Sequence, residues 1–83
     1  MSEVKVVFFA SLRETVGVAS MNLDAANLAA MWAGLEQRLP PEAIGALRDK
    51  NVRLAVNQTL VDTPEVNFCA GDEVAFLPPV TGG

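Results

Sequence analysis

Apolar residues near the start of the chain fall on both parities of a strand. Val4, Val6 and Phe8 share one face, and Val7 and Phe9 share the other. Residues 4–10 are rich in β-branched and aromatic side chains, which predicts a strand. A strand apolar on both sides lies centrally in a sheet or has a partner on its second face. Ser11-Leu12-Arg13-Glu14 has the spacing of a capping box, with Ser11 as N-cap and Glu14 reaching back to it. Gly17 suits the left-handed stop of a short helical turn. Residues 19–23 then alternate, Met21 and Leu23 against Ser20 and Asn22. That pattern predicts a half-buried strand forming a hairpin with the first.

Asn27 stands where an N-cap is needed, ahead of Leu28, Met31, Trp32, Leu35 and Leu39 at helical spacing. The stripe is fit to lie on a sheet. Met31 and Trp32 are assigned to the core, because buried aromatics mainly supply packing area; a cofactor-stacking Trp32 is the alternative. Pro40-Pro41 ends this helix, and residues 42–48 form a short second one with Ile44 and Leu47 inward. Residues 52–56 place Val52, Leu54 and Val56 inward against Arg53 and Ala55. Asn57-Gln58 is a turn, 59–61 a short return strand, and Thr63-Pro64 breaks it. Gly71-Asp72 turns the chain into a last strand, 73–77, with Val74 and Phe76 on one face and Ala75 and Leu77 on the other. The order ββ-α-(α)-βββ predicts an α+β domain. One main helix packs on one face of a mixed β-sheet, with short extra helices, in the layout of a β-grasp. Residues 1–77 make the domain and 78–83 an extended tail.

Phe9, Leu77 and Leu60 have the wrong parity for the helix-covered side. With the expected pairing they form an apolar patch facing water, the usual mark of a partner surface. The alternatives are a covering loop, or a helix that packs on this face instead.

Composition narrows the chemistry. The 83 residues carry a net charge of −4, with 51% hydrophobic and 19% charged residues. A chain of this length makes one small folded domain. Its six basic residues are scattered and form no stripe, which argues against nucleic acid. No apolar run approaches the ~20 residues of a membrane span. Met1-Ser2-Glu3 runs straight into the first strand, so no secretory signal is expected and the cytoplasm is the default location. Histidine and tyrosine are absent, which removes the commonest general base and metal ligand. A single cysteine, Cys69, permits neither an internal disulfide nor a cysteine-based zinc site. Between Phe68 and Ala70 it reads as a small buried thiol. No Gly-rich phosphate loop is present, and no metal site or bound cofactor is expected.

The last residues are Pro78-Pro79-Val80-Thr81-Gly82-Gly83. Pro78-Pro79 cannot continue a ladder and favours extended backbone. Glycines thread a slot too narrow for other residues. Six extended residues reach up to ~20 Å. The tail is either a frayed end or a handle whose α-carboxylate is delivered into another protein's active site. The carboxylate is ionised at neutral pH and a poor electrophile, so a handle needs activation by a partner with its own ATP site.

Three stretches carry a family resemblance. They are Val4-Lys5-Val6-Val7-Phe8-Phe9-Ala10 with Arg13-Glu14, Ala55-Val56-Asn57-Gln58-Thr59-Leu60-Val61, and Gly71-Asp72-Glu73-Val74-Ala75-Phe76-Leu77-Pro78-Pro79-Val80-Thr81-Gly82-Gly83. Together they resemble the small, sulfur-carrier subunits of molybdopterin synthase, the MoaD-like group of ubiquitin-like β-grasp proteins. Residues 25–50 match in pattern only. The resemblance implies that Gly83 is the reacting residue. An ATP-using adenylyltransferase of the ubiquitin-activating type (MoeB-like) makes its acyl-adenylate, and a sulfur donor converts that to a thiocarboxylate. The MoaE-like large subunit then takes the tail, with Thr81 and Gly82 in its channel, and builds molybdopterin's dithiolene from cyclic pyranopterin monophosphate. The implied assembly is a 2+2 heterotetramer in which this chain is the sulfur-carrier half of a sulfurtransferase, with no self-contained active site. Phe9, Leu60 and Leu77 fall on the implied partner face, and Arg13 joins them as a polar contact. The rivals are a thiamin-type sulfur carrier, a ubiquitin-like modifier whose Gly83 forms an isopeptide with lysine, and an interaction domain with an inert tail.

Overall fold

A computed structural model of the chain describes residues 2–61 and 66–78. The expected tail beyond Pro78 and the Thr63-Pro64 break lie outside the described residues.

Five strands form one mixed sheet in the order β2-β1-β5-β3-β4. They are β1 (Glu3–Phe8), β2 (Ser20–Asp24), β3 (Arg53–Val56), β4 (Thr59–Val61) and β5 (Glu73–Leu77). β1 and β2 make the expected antiparallel hairpin, with Val4 opposite Leu23 and Val6 opposite Met21. β5 inserts between β1, to which it is parallel, and β3, to which it is antiparallel. β1, β5 and β3 are thus each flanked by a strand on both edges.

Three helices accompany the sheet: α1 (Ala10–Val16), α2 (Leu28–Arg38) and α3 (Pro41–Leu47). The α2 cap forms as expected: Asn27 is extended, and its Oδ1 accepts the Ala30 N–H at 2.8 Å. Pro41 opens α3 at a position where its missing N–H costs nothing. Met31 and Leu35 of α2 and Leu47 of α3 are buried against Val4, Val6, Phe8, Val74 and Phe76. The helices therefore cover the face expected, and the reversed-parity alternative is excluded. Phe8 and Phe76 stack at 5.7 Å between ring centroids. Trp32 sits at the edge of this core and not in its centre. It is half-buried, 5.5 Å edge-on from Phe76, with the Arg48 guanidinium 4.2 Å above its ring. Arg48 also pairs with Glu36 at 3.0 Å.

Two expectations are corrected. The Ser11–Glu14 capping box does not form. α1 begins two residues earlier, Phe9 occupies its N-cap without a side-chain bond, and the Ser11 carbonyl accepts the Thr15 hydroxyl at 3.0 Å. The cause lies at Ala10, whose left-handed φ of 50° ends β1 at Phe8 and starts the helix at once. Gly17 closes α1 at φ 95°, as expected. Cys69, expected buried, is exposed. Phe68 takes the inward position there, and the following residue turns out to bind the next turn through its backbone: the Cys69 N–H donates to Asp72 Oδ2 at 2.8 Å.

Candidate functional site: the open face of the sheet

The sheet face away from the helices carries a lateral row set by register. Val7 lies opposite Ala75, Ala75 opposite Ala55, and Ala55 opposite Leu60. The two alanines in its middle are small, and larger side chains stand around them. The result is a depression of about 430 Å³ lined by Ala55 and Ala75 together with Phe9, Leu60 and Leu77. Gln58 and Glu73 add its polar lining. Phe9 remains 43% exposed and Leu60 63%. No loop among the described residues shields them, and contiguous apolar surface of this kind marks a binding site.

Each wall residue owes its place to local backbone. Phe9 continues β1 past its last paired side chain, its N–H donating to the Phe76 carbonyl at 3.2 Å. The turn at Ala10 then takes the chain away, leaving the ring on the open face. Leu60 is presented by the β3–β4 hairpin, whose two-residue loop is Asn57-Gln58, with Val56 opposite Thr59. Both loop residues have positive φ, 50° and 72°. These are the signs of a type I′ turn, whose twist matches that of the flanking strands. Leu77 ends β5, opposite Arg53.

A polar clasp anchors the hairpin to the start of β5. Asn57 Oδ1 accepts the Glu73 N–H at 3.0 Å, Asn57 Nδ2 donates to Asp72 Oδ1 at 3.0 Å, and the Asn57 N–H donates to the Glu73 carbonyl at 2.8 Å. The Cys69 N–H and the Asn57 amide together hold the Asp72 carboxyl below its ordinary range. The clasp ties the hairpin that carries Leu60 to the start of β5.

Of the expected partner residues, Phe9, Leu60 and Leu77 are brought together. Arg13 is exposed on α1 and does not line the depression. Thr81, Gly82 and Gly83 lie outside the described residues; β5, which lines the depression through Glu73, Ala75 and Leu77, is the strand that leads to them. The lining by Ala55, Gln58 and Glu73 was not anticipated. The alternation of β3 already put Ala55 on the open side, so that signal was available. Nothing in a turn dipeptide marks Gln58 as a wall. Among the described residues no group of acidic or cysteine side chains could hold a metal ion, and no helix is long and apolar enough to cross a membrane.

Comparison with known proteins decides the family. The sequence pattern of the ThiS family matches residues 6–83. This chain belongs to the ThiS family. It is 44% identical over 88 aligned positions to the molybdopterin synthase sulfur carrier subunit of Escherichia coli K12, covering 96% of this chain and 99% of that one. Two solved structures extend the likeness to the fold. The small archaeal modifier protein SAMP1 of Methanosarcina acetivorans superposes with a TM-score of 0.79 at 26% identity, covering 100% of this chain and 98% of that one. A chain from the complex of subunits 1 and 2 of the molybdopterin-converting factor of Helicobacter pylori gives 0.73 at 27% identity, covering 98% and 99%. The mixed sheet with helices on one face is thus the ubiquitin-like β-grasp of ThiS-family and modifier proteins.

Proposed function

We propose that this ThiS-family domain is the sulfur-carrier subunit of a two-subunit molybdopterin synthase. The observation that carries the reading is the 44% identity to the E. coli carrier across nearly the whole of both chains. The match of the family pattern through Gly83 supports it. In this reading the open face docks on the large subunit while the tail enters that subunit's active site. The Helicobacter pylori complex of two different subunits is the precedent for such a partner.

The chemistry belongs to Gly83. An adenylyltransferase transfers AMP from ATP to the carboxylate and releases pyrophosphate. A donor's sulfur then displaces AMP, leaving a thiocarboxylate for transfer to cyclic pyranopterin monophosphate. This chain supplies the carboxylate and the docking surface, and the partners supply nucleotide binding and acid–base groups. That division suits a domain without histidine.

A second reading, a ubiquitin-like modifier, is favoured by the likeness to SAMP1. The similar TM-scores of the two structures leave fold alone unable to choose between them. The two structures do not differ in identity either, at 27% and 26%; the 44% identity to the E. coli carrier is what supports the carrier reading. Intact-mass spectrometry of the domain, produced with the adenylyltransferase and a sulfur source, separates the two. The carrier shows one oxygen-to-sulfur exchange at Gly83, and deleting Gly83 abolishes it without lowering the Tm. Adducts on lysines of other proteins, with no such exchange, would overturn the carrier reading.

A further inference from the structure

Backbone strain gathers at the docking face. Among the described residues, three non-glycine residues have left-handed φ: Ala10 at 50°, Asn57 at 50° and Gln58 at 72°. Ala10 directly follows Phe9, and Gln58 lines the depression with Asn57 just before it. The left-handed region crowds Cβ against the following carbonyl oxygen, and residues held there concentrate at binding sites. Asn57 has a local reason to accept it, because a short amide hydrogen-bonds nearby backbone, here the Glu73 N–H. Gln58 has none. It is the second central residue of a type I′ turn, the position that glycine fills best, and among the described residues its longer side chain makes no short-range bond of the kind that suits asparagine to this conformation.

We propose that Gln58 is a specificity-determining contact: its side-chain amide hydrogen-bonds main chain of the large subunit docked in the depression. This rests on the carrier reading above. Glycine at this position would relax the turn and remove the only uncharged polar side chain among the described residues of an otherwise largely apolar wall. A few well-placed polar groups in an apolar site are what fix orientation. A neutral amide gives such a bond without the desolvation cost of a charge. Gln58 therefore sets how the domain seats, and through β5 where the tail enters.

Calorimetric melting of the free domain and titration against the isolated large subunit test this, with Gln58→Gly, Gln58→Ala and, as control, Leu60→Glu. Gln58→Gly is expected to raise the Tm by several degrees while raising Kd about 5- to 10-fold, the loss of one hydrogen bond. Gln58→Ala keeps the crowded Cβ, so its Tm stays near wild type while Kd rises by the same factor. A merely structural residue would not move stability and affinity in opposite directions. A lower Tm for Gln58→Gly overturns the strain argument. Weaker binding by the glycine variant alone assigns the effect to turn flexibility and overturns the contact. Unchanged Kd for both, with Leu60→Glu weakened, overturns the contact and leaves the docking face standing. Unchanged Kd for all three removes the docking face as well.

Discussion

Leu60 offers a separation of binding from stability that follows from its exposure. It keeps 63% of its surface in water in the free domain. Burying a leucine side chain fully is worth about 1.5–3 kcal/mol. Folding has therefore captured about one third of that, about 0.5–1 kcal/mol, and docking that covers the rest stands to gain about 1–2 kcal/mol. Leu60→Ala should then raise the Kd for the large subunit by up to about 5- to 30-fold. Its cost to folding should stay within about 1 kcal/mol. Leu60→Glu should weaken binding further, since docking must also strip water from a carboxylate with no assigned partner. Titration calorimetry against the large subunit, beside thermal melts of the same variants, measures both quantities. Affinities within twofold of wild type for both variants, with normal melts, would refute the assignment of this face.

Two further predictions concern the scaffold. Asp72 is bound by the Cys69 N–H and the Asn57 amide, which lower its pKa from 3.8. A depressed folded pKa adds stability that is complete above the unfolded value and is lost as pH falls through the folded one. The wild-type Tm should thus drop on acidification below about pH 4, and Asp72→Asn should show a shallower acid limb; superimposable limbs would count against the clasp. Asn27→Ala removes the acceptor for the Ala30 N–H and should cost about 1 kcal/mol, or about 4–8 °C in Tm, with large-subunit affinity unchanged. An unaltered melt would show that the cap contributes nothing.

The parts of the fold legible in the sequence were those governed by a single strong effect. Alternation in β1 and β5 is a burial signal, so the strands, the central place of β1 and the outward set of Phe9 and Leu77 could be read directly, and Leu60 followed from the short return strand. Asn27 and Gly17 obey local backbone rules, and both act as expected. The misreadings arose where two local rules competed. Ser11 and Glu14 have capping-box spacing, but the strained turn at Ala10 starts the helix earlier and leaves Ser11 inside it. Cys69 has the hydrophobicity of a core residue, yet its backbone is claimed by Asp72 and its side chain faces out. Gln58 was legible as a turn residue and invisible as a wall, because the depression exists only once three non-adjacent strands are side by side.

The place of β5 between β1 and β3 also bears on when this protein becomes competent. The chain is made from its N-terminus, so the last strand to be synthesised is one that the sheet needs at its centre. Until β5 inserts, β1 and β3 have no common neighbour, and Val74 and Phe76 are missing from the core. Pairings of such long sequence separation close late and slowly. A nascent or truncated chain lacking β5 therefore lacks a finished open face, because Glu73, Ala75 and Leu77 line its depression. Topology thus completes the open face only in molecules in which β5 has been made and has taken its place in the sheet.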